Sequence, residues 1–117
     1  MNIKELPCES TRESYGRSLV SVGEAMDAVV VLDADVSKST RTLYFQERFP
    51  ERFFNFGIAE QNMMGIAAGL AASGKVVFAS TFAVFASSRC FDQVRWSIAQ
   101  PHRNVKIALK PPVSARA

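Results

Sequence analysis

Apolar positions along this chain change their period several times, and each change marks an element. After a lead-in over residues 1–9, where Pro7 opposes an early helix, Ser10 and Glu13 form a capping-box pair at three-residue spacing. Tyr15, Leu19, Val22 and Met26 recur at four- and three-residue steps, with Arg12, Arg17 and Glu24 largely on the other face, which predicts an amphipathic helix over 11–27. Ala28-Val29-Val30-Val31-Leu32 is an unbroken apolar run, the pattern of a strand buried on both faces. Ser37 to Thr42 predicts a polar loop, Leu43 to Phe49 a short helix closed by Pro50, and Phe53 to Phe56 a second short strand.

A nearly uncharged helix is predicted from Ala59 to Ser73, ended by Gly74 in the position of a C′ glycine. Gly65 and Gly69, with Ala68 and Ala72, make a small-residue face on it, a device that lets another element pack closely. Val76 to Ala79 predicts a third strand, with Thr81 and Phe82 opening a loop into a third helix over 84–98. Ser87, Phe91, Val94 and Ile98 share one face of that helix, and Pro101 stops it. Asn104 to Leu109 reads as a fourth strand, and 110–117, beginning at the Pro111-Pro112 pair, as an irregular tail. Strands alternating with crossover-length helices predict an α/β fold: a doubly wound, mostly parallel sheet with helices on both faces.

Composition narrows the function classes. The chain's 117 residues suit one domain, and 48% hydrophobic with 21% charged residues allow a packed core. The net charge of +3 is scattered rather than clustered, so no nucleic-acid partner is expected. The longest apolar run, Met63 to Ala72, is too short for the roughly 20 residues that span a bilayer, and no signal peptide is visible, so no membrane partner is expected. Cys8 and Cys90 lack metal-ligand spacing and read as reduced thiols, which points to a cytoplasmic protein.

Candidate chemistry is sparse. Neither GxGxxG nor GxxxxGK[ST] occurs, which lowers nucleotide readings. His102 follows a proline at a turn and has no visible partners for a nucleophilic triad. Asp33 and Asp35 fall at the carboxyl end of a predicted parallel strand, where open α/β sheets bind ligands. Asp33, Asp35 and Glu60 lack the spacing of a metal site, and no metal is predicted. Glu60 stands in the first turn of the uncharged helix, near Phe53, Phe54, Phe56, Phe82 and Phe85. Two readings stay open: a flat aromatic ligand stacks on phenylalanine while Glu60 bonds a ring nitrogen, or the phenylalanines are core and Glu60 is a solvated acid.

Phe56-Gly57-Ile58-Ala59-Glu60-Gln61-Asn62-Met63, followed by Ala79-Ser80-Thr81-Phe82-Ala83-Val84-Phe85, closely resembles the pyrimidine-binding domain of the transketolase family, most of all the C-terminal subunit of split transketolases. The resemblance runs from about Ser10 to Ala108, so the domain is placed at 10–109, in partial form. It implies thiamine diphosphate as cofactor, with Glu60 as the catalytic carboxylate bonded to N1′ of the aminopyrimidine. It also implies Phe82 and Phe85 packed on that ring, and Asp35 near the thiazolium side. The implied activity is transfer of a two-carbon ketol unit from ketose to aldose phosphates. The family's Gly-Asp-Gly, which marks the diphosphate and Mg²⁺ site, is absent. The resemblance therefore implies a partner, the N-terminal diphosphate-binding subunit, in a homodimer or heterotetramer. Some members carry tyrosine where this chain has Ser88, and the family pattern would continue past Ala108, so the domain reads as truncated. Two alternatives share the fold: a fragment of 1-deoxy-D-xylulose-5-phosphate synthase, or a non-catalytic assembly module.

Overall fold

The computed structural model describes residues 2–111; the predicted irregular tail lies almost wholly outside them. Strands β1 (Val29–Asp33), β2 (Phe53–Asn55), β3 (Val76–Phe82) and β4 (Val105–Lys110) are all parallel and lie in the order β2-β1-β3-β4. Every residue of β1 is buried, as a run of valines covered on both faces requires. Helices α1 (Thr11–Ala25), α2 (Ser37–Thr40), α3 (Leu43–Arg48) and α4 (Glu60–Ala72) are joined by a further helical segment over 85–99. This is the doubly wound α/β architecture that the order of elements predicts.

Alternation along the strands divides the apolar residues into two cores. Val29, Val31 and Phe53 meet Leu19 of α1 and Phe45 of α3, and all five are buried. Val30, Leu32, Val77 and Ala79 meet Met63, Met64 and Ala67 of α4 on the opposite face. Each such fully buried large side chain contributes about 1.5–3 kcal/mol relative to exposure. The Arg52 guanidinium closes the end of α1 by donating to the carbonyls of Gly23 at 2.9 Å and Met26 at 3.0 Å while stacking 4.0 Å from the Phe49 ring. Those carbonyls are among the groups that a helix end leaves without internal partners.

Several sequence expectations are corrected. The capping box does not form: Ser10 makes no side-chain cap bond, and Glu13 reaches instead to Arg41 and to the Tyr44 hydroxyl at 2.6 Å. A charged, hydrogen-bonded pairing outweighs a local cap. Ser37 to Thr40 is a helical turn rather than loop, nucleated by Asp33, whose carboxylate accepts the Val36 N–H at 2.6 Å and the Thr40 hydroxyl at 2.9 Å. Strand β3 continues through Thr81 and Phe82, because β4 pairs with it to the register Phe82↔Lys110. Gly65 and Gly69 are exposed, and a Cβ built on either meets nothing within 4 Å, so the two glycines admit no close neighbour; of the predicted small-residue face only Ala68 is buried in the core.

The segment over 85–99 differs most. Two stretches of π-helix, Phe85–Arg89 and Val94–Ala99, flank a short α turn at Phe91–Gln93. Ala86, Cys90 and Ile98 are buried and Val94 is half-buried, whereas Ser87 and Phe91 face outward. That inward stripe repeats every four residues, a period too long for a helix of 3.6 residues per turn to keep on one side. Wider π turns, with i→i+5 bonds such as Gln100 N–H to Arg95 carbonyl at 3.0 Å, hold the stripe against the sheet.

Candidate functional site

The carboxyl ends of β1 and β3 lie side by side, with Asp33 opposite Ser80. The chain leaves β1 toward β2 and leaves β3 toward β4, in opposite directions. An open parallel sheet binds ligands at such a switch point. Each predicted site residue comes from a segment that begins at this edge.

Glu60 is the first residue of α4, and its side chain is only 2% exposed. The turn before it needs Gly57, whose φ of +68° is left-handed. Asn55 fixes that turn: its side-chain carbonyl accepts the N–H of Gly57 at 2.9 Å and of Asp35 at 3.1 Å. The same amide donates to Asp35 Oδ1 at 3.3 Å. Asp35 itself has a φ of +63°, a conformation that aspartate tolerates better than most side chains.

A buried carboxylate needs donors, and Arg89 supplies one. Its Nη1 donates to Glu60 Oε2 at 3.0 Å. The same guanidinium lies 4.3 Å from the centre of the Phe85 ring. Phe85 and Phe82 form a tilted pair with ring centres 5.9 Å apart, and Lys110 Nζ lies 5.1 Å from the Phe82 ring. Glu60, Phe85 and Phe82 are thus brought to one place, linked through Arg89. Asp35 is tied to Asn55 instead, on the β1–β2 side of the edge.

The other aromatics divide. Phe53 belongs to the α1–α3 core, Phe56 packs on the α4 core, and Phe54 is exposed. The reading of these phenylalanines as core and Glu60 as a solvated acid is met only in part: Phe53 is core, but Glu60 is buried. Asp33 is a second buried carboxylate, satisfied by Val36, Thr40 and Thr42. Burial pushes its pKa up, and those three hydrogen bonds oppose the shift. The buried Cys90 thiol is pushed up by burial and, secondarily, by the nearby Glu60 charge. Among the described residues no group of three His, Cys, Asp or Glu could hold a metal ion. A cavity of about 310 Å³ is lined in part by Tyr15, Thr40, Ala108 and Lys110, with none of Glu60, Phe82 or Phe85 in its wall.

The profile described as the pyrimidine-binding domain of transketolase matches residues 9–116. The chain belongs to the transketolase pyrimidine-binding domain family. A protein from Methanocaldococcus jannaschii named as a transketolase C-terminal section is 55% identical over 96 residues, covering 82% of this chain and 30% of its own length. Human transketolase is 45% identical over 87 residues, or 74% of this chain and 14% of the enzyme. A solved split-gene transketolase, described as an inactive β4 tetramer, superposes with a TM-score of 0.77 at 62% identity, over 85% of this chain and 33% of its own. Transketolase from Leishmania mexicana superposes with a TM-score of 0.76 at 27% identity, over 91% of this chain and 18% of its own. The pyrimidine-binding domain described here therefore spans a third or less of these relatives. Its family is one of thiamine diphosphate-dependent transferases.

Two residues of the site escape the sequence reading. Asn55 was legible only as a strand residue, since its partners lie in two separate turns. Arg89 carried a signal: like Arg95, it is a cation one position from a four-residue apolar stripe that an α-helix cannot keep on one face.

Proposed function

We propose that this domain binds the aminopyrimidine of thiamine diphosphate and supplies one half of a transketolase active site. The observation that carries the reading is the buried Glu60 carboxylate, at the switch-point edge, next to the Phe82–Phe85 pair. A flat heteroaromatic ring with a proton-bearing nitrogen suits this donor set. Phe82 and Phe85 offer ring faces, and Glu60 offers an oxygen to hold a proton at N1′. Thiamine diphosphate, when bound, supplies the carbon nucleophile that carries a two-carbon ketol unit between sugar phosphates. The protein's part is to orient the ring, keep water from the Glu60 oxygen, and hold the proton there. Asp35, fixed by Asn55, is assigned to the thiazolium side of the same edge.

The diphosphate and its Mg²⁺ are assigned to a partner, the N-terminal section of a split transketolase. The names "C-terminal section" and "split gene" borne by its relatives support that division. The 1-deoxy-D-xylulose-5-phosphate synthase alternative has less support, since the relatives named above are transketolases. The test is reconstitution of the full-length subunit with a diphosphate-binding section, followed by assay of ketol transfer with and without thiamine diphosphate. Activity that requires both section and cofactor is expected. A cofactor-loaded, correctly sized complex without ketol transfer would overturn the reading.

A further inference from the structure

Arg89 occupies the two groups that the proposed function assigns to the cofactor ring. Its guanidinium donates to Glu60 at 3.0 Å and covers Phe85 at 4.3 Å. Its side chain is about half exposed, at 47%, whereas that of Glu60 is 2% exposed. The carboxylate is built into the fold and the cation reaches it from the surface. Arg89 ends a π-helical stretch, a backbone distortion found often at functional sites. The Arg89 carbonyl accepts from Gln61 Nε2 at 2.9 Å, so the wide turn is fastened to the same first turn of α4 that carries Glu60.

We infer that Arg89 is an internal competitor for the pyrimidine pocket: it satisfies Glu60 when the ring is absent and must leave when the ring arrives. The inference rests on the reading of Glu60 and Phe85 as cofactor residues. A carboxylate left bare at 2% exposure would be costly, and a guanidinium removes that cost. A Glu60–ring bond needs a proton between the two partners, and stacking needs a free Phe85 face. The guanidinium competes for the Glu60 Oε2 oxygen and for a face of Phe85 while it stays in place. Its outer end is in water, so it can swing out without a new buried partner. The device sets cofactor affinity below what the pocket could reach and protects the site against a stranded charge.

The test is calorimetric titration of thiamine diphosphate, with Mg²⁺ present, into the reconstituted full-length complex. Four forms are compared: wild type, Arg89→Met, Glu60→Gln and the double variant. Arg89→Met keeps an apolar stem over Phe85 and removes the charge; Arg89→Gln replaces it if methionine disturbs assembly. Half-exposed ion pairs are worth up to about 1 kcal/mol, so Kd is expected to tighten about fivefold in Arg89→Met. The gain should be much smaller in the Glu60→Gln background, where an amide oxygen can still accept from Arg89 but the ion pair no longer exists. An unchanged or weaker Kd in Arg89→Met, or an equal gain in both backgrounds, would overturn the inference while leaving the cofactor reading intact. Wild-type Kd and turnover in Glu60→Gln alone would instead overturn the reading on which it rests.

Discussion

The hydroxyls of Tyr15 and Ser80 lie 2.8 Å apart and fasten α1 to the end of β3 that borders the site. Ser80 is fully buried, so loss of the phenol would leave its oxygen without that partner. Tyr15→Phe is expected to cost about 1–2 kcal/mol in denaturant unfolding at neutral pH. The phenol's pKa is pushed up to about 12 from 10.0, by burial first and by the Asp33 charge last. A raised acid pKa means that the native state holds its proton longer than the unfolded chain. This contribution is complete below pH 10 and is lost as pH rises toward 12. Wild type should therefore lose more stability than Tyr15→Phe between neutral pH and pH of about 11, and equal losses would count against this account.

Two helix glycines should respond to alanine with opposite signs. A Cβ at Gly16 would lie 2.7 Å from both the Arg41 carbonyl and Cβ, so α1 would have to move away from the chain entering α3. Gly69, on the exposed face of α4, has nothing within 4 Å. Gly69→Ala should stabilise by about 1 kcal/mol through helix propensity. Gly16→Ala should destabilise by about 1–3 kcal/mol through overpacking. Urea unfolding of the two variants checks the contrast.

Glu13 joins α1 to the segment that leads into α3. It accepts from the Tyr44 hydroxyl at 2.6 Å and pairs with Arg41. The Tyr44 hydrogen bond, then the Arg41 one, holds its carboxyl below the ordinary 4.5. A lowered carboxyl pKa stabilises the fold above the ordinary value, and that stability is lost as pH falls through the lowered one. Glu13→Gln should therefore flatten the acid limb of the stability–pH curve below about pH 4.5, with little change in its slope at neutral pH. An unaltered acid limb would remove Glu13 from the account.

Phe82 is the assigned ring face at the β4 side of the site, paired with Phe85 and flanked by Lys110. Phe82→Ala in the reconstituted complex should raise the thiamine diphosphate Kd about tenfold, the scale of a lost base–aromatic contact. Turnover at saturating cofactor should fall much less. An unchanged titration would withdraw Phe82 from the pocket.

Much of this was legible in the chain because single elements carried it. The run Val29–Leu32 has the β-branched pattern of a doubly covered strand, and strand–helix alternation argues for a parallel sheet. Glu60 was visible as a carboxylate out of place in an uncharged helix. What escaped depends on contacts across elements: Glu13 abandons its cap for Tyr44, and Asn55 links two turns. The helical segment over 85–99 escaped for a different reason. Its stripe of Ala86, Cys90, Val94 and Ile98 was masked by a fit of Ser87 and Phe91 to the ordinary helical period, and with it went the position of Arg89.

The central claim is that Glu60 holds the proton at the cofactor ring. Glu60→Gln keeps the size of the side chain and an oxygen able to accept from Arg89, so the fold should be retained. Steady-state ketol transfer by the reconstituted Glu60→Gln complex at saturating thiamine diphosphate is the direct measurement. The account predicts a loss of about 10²–10⁴-fold in kcat, the scale of a removed proton-transfer group, with unfolding nearly unchanged. Wild-type turnover in that variant would contradict it.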